Sequence, residues 1–406
     1  MKIRSVLLLA VLAALLASGA AFATGPYTIV GSAESREGTL VRTEYLVKVG
    51  AHPLDRFKMT RVVKDVPADQ LRGSILLLPP LGPSFSFYEQ REHDARGSSI
   101  AEYFAERNFD VYGYSLRFEG IPAGTCEAGV LDCSIMTTWN IQSMVDDIAF
   151  VRSQIEVLHP GTRIVAGGAS LGGMLALAVA NAAPGDYDGI IVWEGMLYSQ
   201  DPVVIALNQG YCAALQAQIA AGGVFDSVGP NVFKDVTKFA RLVPSGLASI
   251  PLFPPNLTNH QVMVLLLAVP APGPITMPVP NYIQMNGSFP EDRLFFADEP
   301  RMFENVSRFI SYAPLATVRD VSCSLAGVET DYTSNLGNYH GSVLAIGGGR
   351  GFGPYMADNL ALIGSADQTF LLEPEFGHID HFMTARHREF VERPIFDWAA
   401  ALFQTP

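Results

Sequence analysis

The pentapeptide Gly168–Gly172 contains a serine whose setting suits covalent chemistry. Its sequence is Gly-Ala-Ser-Leu-Gly, with Ser170 at the centre. The mostly apolar run Arg163–Gly167 before it predicts a short buried strand, and the small, apolar run Gly173–Ala180 after it predicts a helix. A strand, a sharp turn and a helix in this order expose the hydroxyl of the central serine, and flanking glycines avoid collisions with the neighbouring strand or helix. Ser170 is therefore the candidate nucleophile; a glycine-rich helix start without chemistry is the alternative.

A serine nucleophile needs a general base, and the sequence contains eight histidines that could supply it. The base takes the proton of the hydroxyl, and a carboxylate orients the base and stabilises its cationic form. His378 lies just after the last predicted strand, at the sheet edge where the carboxyl ends of parallel strands gather and ligands bind. A loop histidine bonded to backbone is the alternative. His381 and His387 fall on the final predicted helix, from about 381 to 402, and we expect them at the surface.

The elements that must position these residues follow from the hydrophobic pattern. Residues 27–66 alternate between polar and apolar side chains, which predicts antiparallel strands at a sheet edge. Buried strands are predicted by apolar runs at 74–78 and 188–193, and a further strand is predicted at 109–114. Strands that alternate with helices indicate an α/β fold with a mostly parallel, doubly wound sheet. The alternation stops after Glu194 and resumes at Ser342, so we expect an inserted, mainly helical cap between the two parts. Its stretch Val262–Ile283 is very apolar and is interrupted by five prolines, which suggests an apolar surface that faces the site; an ordinary packed subdomain is the alternative.

The serine motif and the loop around His378 together resemble one protein family. The loop Phe376–Phe382 is similar to the histidine loop of lipase and esterase members of the α/β-hydrolase superfamily. Gly168–Gly172 matches the nucleophile elbow of that superfamily, and the order of nucleophile, cap insertion and histidine is also shared. The resemblance covers about Leu71 to Leu402. It implies an α/β-hydrolase fold, with Ser170 as nucleophile and His378 as general base.

The resemblance also implies an oxyanion hole made of two backbone N–H groups. One would belong to Leu171, the residue after the nucleophile, and the other to the turn after the strand Leu76–Leu78. That turn begins with Pro79–Pro80, and proline has no N–H group to donate. Leu81 is therefore the expected second donor, and Gly82 is the next candidate.

The acid of the expected triad departs from the common pattern of the family. Most members carry an aspartate in the loop after the strand that resumes the sheet, but here that loop, Gly347–Pro354, contains no carboxylate. Some lipase-like members take the acid from the end of the strand after the nucleophile's helix, and that position here is Glu194. We predict Glu194 as the acid and keep Asp358 as the alternative, while Asp380 is expected to order its own loop. A structural carboxylate that braces the cap is the alternative role for Glu194.

The N-terminus has the features of a secretory signal peptide. Lys2 and Arg4 precede the apolar run Val6–Leu16, and Ala21–Ala23 provides small residues for cleavage. The run is too short for a stable membrane span, so we expect a mature chain that starts near Thr24, in the periplasm or the medium. The predicted organisation is residues 1–23 as signal peptide, 24–195 and 333–406 as the two parts of the hydrolase core, and 196–332 as the cap.

Four cysteines in an exported chain suggest disulfide bonds, and they allow three pairings. Cys126 and Cys133 share one glycine-containing loop, so we expect them to pair. Cys212 and Cys323 would then tie the two ends of the cap together. A metal site or a reactive thiol is disfavoured because the sequence has no Cys-x-x-Cys motif and no histidine pair beside a cysteine.

The composition limits the class of partner. Hydrophobic residues make up 49% of the chain and charged residues 17%, which indicates a globular protein rather than a disordered one. The formal net charge of −13 argues against nucleic acid or an anionic surface as a partner. No residue pattern indicates a metal or an organic cofactor, and the sequence does not indicate the oligomeric state.

These features predict an exported serine hydrolase that cleaves a carboxylic ester through an acyl-enzyme. The substrate would be a small-molecule or lipid ester, and the apolar cap suggests a hydrophobic acyl or alcohol part. Acyl transfer by the same triad and a non-catalytic binding protein on the same fold are the alternatives. A peptidase has no supporting feature, and a haloalkane or epoxide hydrolase would need an aspartate in place of Ser170.

Overall fold

A nine-stranded sheet forms the centre of the computed structural model, which describes residues 26–91, 98–249, 256–268, 283, 285–286 and 293–404. In chain order the strands are β1 (Tyr27–Glu37), β2 (Leu40–Val49), β3 (Arg56–Lys64), β4 (Ser74–Leu78), β5 (Asp110–Tyr114), β6 (Ile164–Ala169), β7 (Gly189–Trp193), β8 (Ser342–Gly348) and β9 (Gln368–Glu373). They lie in the order β1-β2-β3-β5-β4-β6-β7-β8-β9. The pairs β1–β2, β2–β3 and β3–β5 are antiparallel, and the others are parallel. The predicted α/β fold with a mostly parallel sheet is confirmed.

Helices cover both faces of the sheet and fill the chain between β7 and β8. They are α1 (Ile100–Ala105), α2 (Ile141–Leu158), α3 (Leu171–Ala182), α4 (Pro202–Ala220), α5 (Val228–Leu242), α6 (Asn259–Ala268), α7 (Glu299–Ser307), α8 (Leu315–Leu325), α9 (Gly353–Leu360), α10 (Asp380–Met383) and α11 (Arg393–Gln404). Short 3₁₀ turns lie at Ala68–Gln70, Ser84–Phe87, Ser134–Thr138 and Leu336–Asn338, and a π-helical turn at Arg388–Glu392. Two small strand pairs join Phe225–Asp226 to Ala313–Pro314 and Met285–Asn286 to Arg293–Leu294.

Strand β4 is an unbroken apolar run whose side chains are buried on both faces of the sheet. Successive side chains of a strand point to opposite faces of the sheet. Leu76 and Leu78 belong to the core that contains α2 and α3, whereas Ile75 and Leu77 belong to the core that contains α1 and α11. All four side chains are buried. A strand covered on both sides therefore needs a continuous apolar run, which is the pattern from which it was predicted.

The predicted cap region contains α4 to α8. Two disulfide bonds occur with the expected pairing: Cys126–Cys133 closes a local loop, and Cys212–Cys323 joins α4 to α8. The domain limits given above stay a prediction. The expected signal peptide, residues 1–23, and most of the proline-rich part of the cap, residues 269–282, lie outside the described residues.

The C-terminal segment corrects two expectations. The single final helix predicted from about 381 to 402 is wrong, because α10 ends at Met383 and helical structure resumes only with the π-helical turn Arg388–Glu392, which continues into α11. Thr384 adopts an extended conformation and pairs with Ala297 of the cap, which interrupts the helix.

His381 and His387, which were expected at the surface, are both buried. All four residues of α10 are buried, so this short helix has no face exposed to solvent, and His381 packs edge-on against the ring of Phe376. His387 lies 2.5 Å from a buried carboxylate oxygen of Glu392.

Candidate active site

Ser170 occupies the sharp turn between β6 and α3. Its backbone has φ 56° and ψ −118°, a conformation that non-glycine residues rarely adopt and that occurs mostly at functional turns. The Ser170 N–H group donates to the carbonyl of Trp193 at 2.8 Å, which ties the turn to the end of β7. A Cβ atom at either Gly168 or Gly172 would overlap the carbonyl group of Leu78, so only glycine fits at both positions.

His378 joins the serine to a carboxylate. It lies in the loop after β9, and only 3% of its surface is exposed. Its Nε2 atom is 2.9 Å from Ser170 Oγ, and its Nδ1 atom is 2.9 Å from Glu194 Oε2. An ionised carboxylate only accepts hydrogen bonds, so Nδ1 donates to Glu194 and Nε2 is left to accept the serine proton. This is the arrangement that a general base requires.

Glu194 is the first residue after β7 and is fully buried. Its backbone also has a positive φ, 48°, and its N–H group donates to the carbonyl of Ile346 at 2.8 Å. Besides His378, the carboxylate accepts hydrogen bonds from the N–H groups of Gly348 and of Phe352, the latter at 2.9 Å. The loop without a carboxylate therefore supplies backbone donors that hold Glu194 in place.

The two other carboxylates considered from the sequence accept hydrogen bonds from backbone N–H groups elsewhere. Asp358 accepts a hydrogen bond from the N–H group of Gln200 at 2.7 Å, near the start of the cap. Asp380 accepts from the N–H group of Gly377 at 2.7 Å and so fixes the loop that carries the histidine. The structure thus brings Ser170, His378 and Glu194 together and leaves Asp358 outside the group.

Backbone donors border the serine hydroxyl. Leu171 is the first residue of α3, where N–H groups have no acceptor within the helix. Leu81 and Gly82 lie in the turn after β4 and border the same cavity as Ser170 and Leu171. Within the described part of the chain, the N–H groups of Leu81, Gly82 and Leu171 donate no hydrogen bond. They are therefore free to bind an oxygen that develops negative charge.

An apolar cavity opens over Ser170 and His378. Cap helices α5, α6, α7 and α8 contribute to its wall together with the turn after β4 and the loop of His378. Five phenylalanines contribute to this wall: Phe87, Phe233, Phe309, Phe352 and Phe382. Among the described lining residues, polar side chains come only from Ser170, Thr317 and His378, and none is acidic or basic apart from the histidine. Such a surface favours an uncharged, hydrophobic group beside the serine.

Cap helix α7 anchors the segment that follows His378, which the sequence did not reveal. The Arg301 side chain donates from Nε to the carbonyl of Phe382 at 2.6 Å, and the Asp298 N–H group donates to the carbonyl of Met383 at 2.6 Å. The ring of Phe352 packs edge-on against His378, with 4.7 Å between centroids. These contacts depend on residues far apart in sequence, and no local motif indicates them.

His381, three residues after His378, has a buried imidazole that stays uncharged. Burial and, to a smaller extent, the neighbouring His378 together lower the pKa of its imidazole to about 3. Neither ring nitrogen has a hydrogen-bond partner among the residues that the structure describes. His381 is therefore neutral at ordinary pH and belongs to the packing around Phe376 rather than to the proton-transfer chain.

No cluster of three or more histidine, cysteine or acidic side chains in the described ranges could hold a metal ion. Of the helices whose coordinates are described, none is long and apolar enough to cross a membrane.

Comparison with known proteins agrees with this architecture. The model of the serine aminopeptidase S33 family matches residues 90–232, which include Ser170 and Glu194. A candidate lipase from Sulfolobus solfataricus is similar with a TM-score of 0.60 at 16% identity, over 92% of this chain and 99% of that chain. The sequence matches no curated protein.

Two further solved structures share the fold at low identity. A highly thermostable carboxyl esterase from Bacillus coagulans has a TM-score of 0.52 at 12% identity, over 94% of this chain and all (100%) of that chain. A soluble variant of monoglyceride lipase from Saccharomyces cerevisiae has a TM-score of 0.50 at 13% identity, over 92% and 96% of the two chains. The present chain accordingly shares the fold of these lipase and esterase structures.

Proposed function

We propose that this protein is an exported serine hydrolase that cleaves carboxylic esters with a hydrophobic acyl or alcohol part. The observation that carries the proposal is the hydrogen-bonded chain from Glu194 through His378 to Ser170, at the floor of an apolar cavity. Strained serine and glutamate backbones at the ends of neighbouring strands add support, because such strain persists where function requires it.

The reaction would proceed through an acyl-enzyme. Ser170 Oγ attacks the ester carbonyl carbon while His378 Nε2 takes its proton, and the Glu194 carboxylate stabilises the resulting imidazolium. The N–H groups of Leu171 and of Leu81 or Gly82 stabilise the oxyanion. The C–O bond to the alcohol then breaks, and the imidazolium returns the proton to the departing alcohol. Water, activated by the same histidine, adds to the acyl-enzyme and releases the acid and Ser170.

The cavity favours an ester over a peptide substrate. An aminopeptidase must recognise a charged α-ammonium group, for which a buried carboxylate is the natural partner. No described residue that lines the cavity is acidic, and the buried carboxylate of Glu194 is already engaged by His378 and two backbone N–H groups. A hydrophobic group, by contrast, gains about 25 cal/mol for each Å² that it buries.

The two disulfide bonds support export, since such bonds persist in oxidising compartments. The export proposal predicts that the protein recovered from the periplasm or medium lacks its first residues and starts near Thr24. Mass spectrometry of the secreted protein would test this, and an N-terminus at Met1 would contradict it.

The decisive experiment is labelling of the purified protein with a fluorophosphonate probe, followed by mapping of the adduct. We expect one adduct on Ser170, none in Ser170→Ala, and normal labelling in Ser153→Ala, which removes an exposed serine on α2. Hydrolysis of p-nitrophenyl esters of increasing chain length, with and without an alcohol acceptor, would then separate hydrolysis from acyl transfer. A folded protein that does not label would favour the binding-protein alternative.

A further inference from the structure

Tyr88 lies beneath the proposed active site and touches both strands that border it. Its ring follows the 3₁₀ turn Ser84–Phe87 and is completely buried. The hydroxyl donates to the carbonyl of Leu78 at 2.7 Å and accepts from the N–H group of Ala169 at 2.9 Å. Leu78 is the last residue of β4, and Ala169 is the last residue of β6.

This position joins the two segments that carry the oxyanion donors. Ala169 immediately precedes Ser170 and Leu171, and Leu78 is three residues before Leu81. The ladder between β4 and β6 ends at the pair Leu78 and Gly168. Beyond this pair, the N–H group of Ala169 and the carbonyl of Leu78 are linked through the phenol oxygen of Tyr88 instead of directly. The length of this bridge therefore sets the separation of the two strands where they diverge.

The ring itself is firmly held. The Tyr88 carbonyl accepts a hydrogen bond from the N–H group of Ala101 at 2.9 Å, and the Phe87 ring packs edge-on against the phenol at 5.0 Å. Burial raises the pKa of the Tyr88 hydroxyl, so it stays protonated and remains a donor to Leu78. A hydroxyl that is held rigidly can fix the distance between the Leu78 carbonyl and the Ala169 N–H group, to which it bonds.

We propose that Tyr88 is a positioning residue, whose hydroxyl sets the spacing between the Leu171 donor and the donor in the turn after β4. This inference rests on the proposed hydrolase function. It assigns to Tyr88 no contact with the substrate, because its oxygen is buried and engaged on both sides. Its effect is carried by the backbone at Leu78 and Ala169. Loss of the bridge should therefore reduce stabilisation of the transition state and leave ground-state binding in the apolar cavity nearly unchanged.

The variant that tests this is Tyr88→Phe, which removes one oxygen and keeps the ring. Tyr112→Phe is the matched control, since Tyr112 is also fully buried and donates to Asp110 at 2.9 Å. Asp110 is the first residue of β5 and therefore lies at the opposite end of the parallel strands from Ser170. Both variants lose a buried hydroxyl bond, but only one lies beside the oxyanion donors.

We expect Tyr88→Phe to lower kcat on a p-nitrophenyl ester by about tenfold or more, with KM within about twofold of the wild type, because small misplacements of catalytic groups cost this much. The rate of fluorophosphonate inactivation should fall in parallel. Tyr112→Phe should keep kcat within about twofold even where urea unfolding shows a similar loss of stability. An unchanged kcat in Tyr88→Phe, or equal losses of activity in both variants, would overturn the proposal.

Amide hydrogen exchange separates failure of this inference from failure of the proposed function. Faster exchange at Ala169 in Tyr88→Phe but not in Tyr112→Phe is expected, whether or not the protein hydrolyses esters. Wild-type protein that does not react with the fluorophosphonate would contradict the hydrolase function. Unchanged exchange at Ala169 would contradict the bridging role of Tyr88 on its own.

Discussion

Glu194 Oε2 lies 2.9 Å from His378 Nδ1, although the two residues are 184 positions apart in the chain. Glu194 follows the end of β7, which is the neighbour of β6, the strand that leads to Ser170, and the histidine follows β9 at the edge of the sheet. Strand β8 lies between β7 and β9, and the carboxylate accepts hydrogen bonds from the N–H groups of Gly348, the last residue of β8, and of Phe352 in the loop that follows. The segment in which an aspartate is commonly expected thus donates hydrogen bonds to a carboxylate that follows another strand.

Glu194→Gln should lower kcat by about 10³- to 10⁴-fold, because an amide no longer stabilises the imidazolium or its tautomer. Asp358→Asn should leave kcat within about threefold, since Asp358 bonds Gln200 rather than His378. Steady-state kinetics on a p-nitrophenyl ester would check both variants. Near-normal turnover in Glu194→Gln together with a severe loss in Asp358→Asn would reverse the assignment of the acid.

Gly351→Ala should lower kcat by about 100-fold, as expected for a displacement of catalytic groups by about 1 Å. A Cβ atom at Gly351 would overlap the Glu194 carboxylate and lie 2.9 Å from the backbone of His378. Gly185→Ala is the control, since a Cβ atom there has no neighbour within 4 Å. The kcat and the melting temperature of each variant would test this prediction. A normal kcat in a folded Gly351→Ala would argue against a rigid Glu194–His378 pair.

Local patterns explain why much of this architecture could be predicted from sequence. Strands β4 to β8 are buried on both faces, so the apolar runs of most of them are visible in the sequence, and the turn around Ser170 leaves a recognisable glycine pattern. Glu194 could be proposed because Gly347–Pro354 contains no acid. The Tyr88 bridge, the burial of His381 and the Arg301 anchor depend on tertiary contacts between distant segments, and the sequence carries no periodic signal for them.

Val321→Phe should shift the preference of the enzyme towards shorter esters. Val321 lies on α8, lines the cavity and is buried, so a larger side chain there occupies space available to the substrate. Exclusion of two methylene groups would cost about 1.6 kcal/mol, or about a 15-fold loss in kcat/KM. We expect this loss for p-nitrophenyl octanoate, and a change within about threefold for the acetate.

Val328→Phe provides the control for the cavity substitution. Val328 is 60% exposed, three residues beyond the end of α8, so the same change of side chain there takes no volume from the cavity. It should leave the ratio of the two kcat/KM values unchanged. Equal loss on acetate and octanoate in Val321→Phe would indicate general damage to the site rather than a binding surface for the hydrophobic group.

His381 should make the folded protein sensitive to acid. Its folded-state pKa, about 3, lies below the ordinary value of 6.5, so the unfolded chain binds more protons between these two pH values. The contribution of this group is therefore complete above about pH 6.5 and is lost as pH falls towards 3, by up to about 1.4 kcal/mol per pH unit. Between pH 7 and pH 5 the loss from His381 amounts to about 2 kcal/mol.

His381→Leu should reduce this loss, because leucine fills a similar volume and cannot take up a proton. Urea unfolding at pH 7 and pH 5 would give the free energy of unfolding for the wild type and the variant. Met383→Leu, a non-titrating change on the same short helix, should shift the free energy at both pH values by the same amount. If His381→Leu loses as much stability between pH 7 and pH 5 as the wild type does, the acid sensitivity arises from other groups, and burial of a neutral His381 does not govern it.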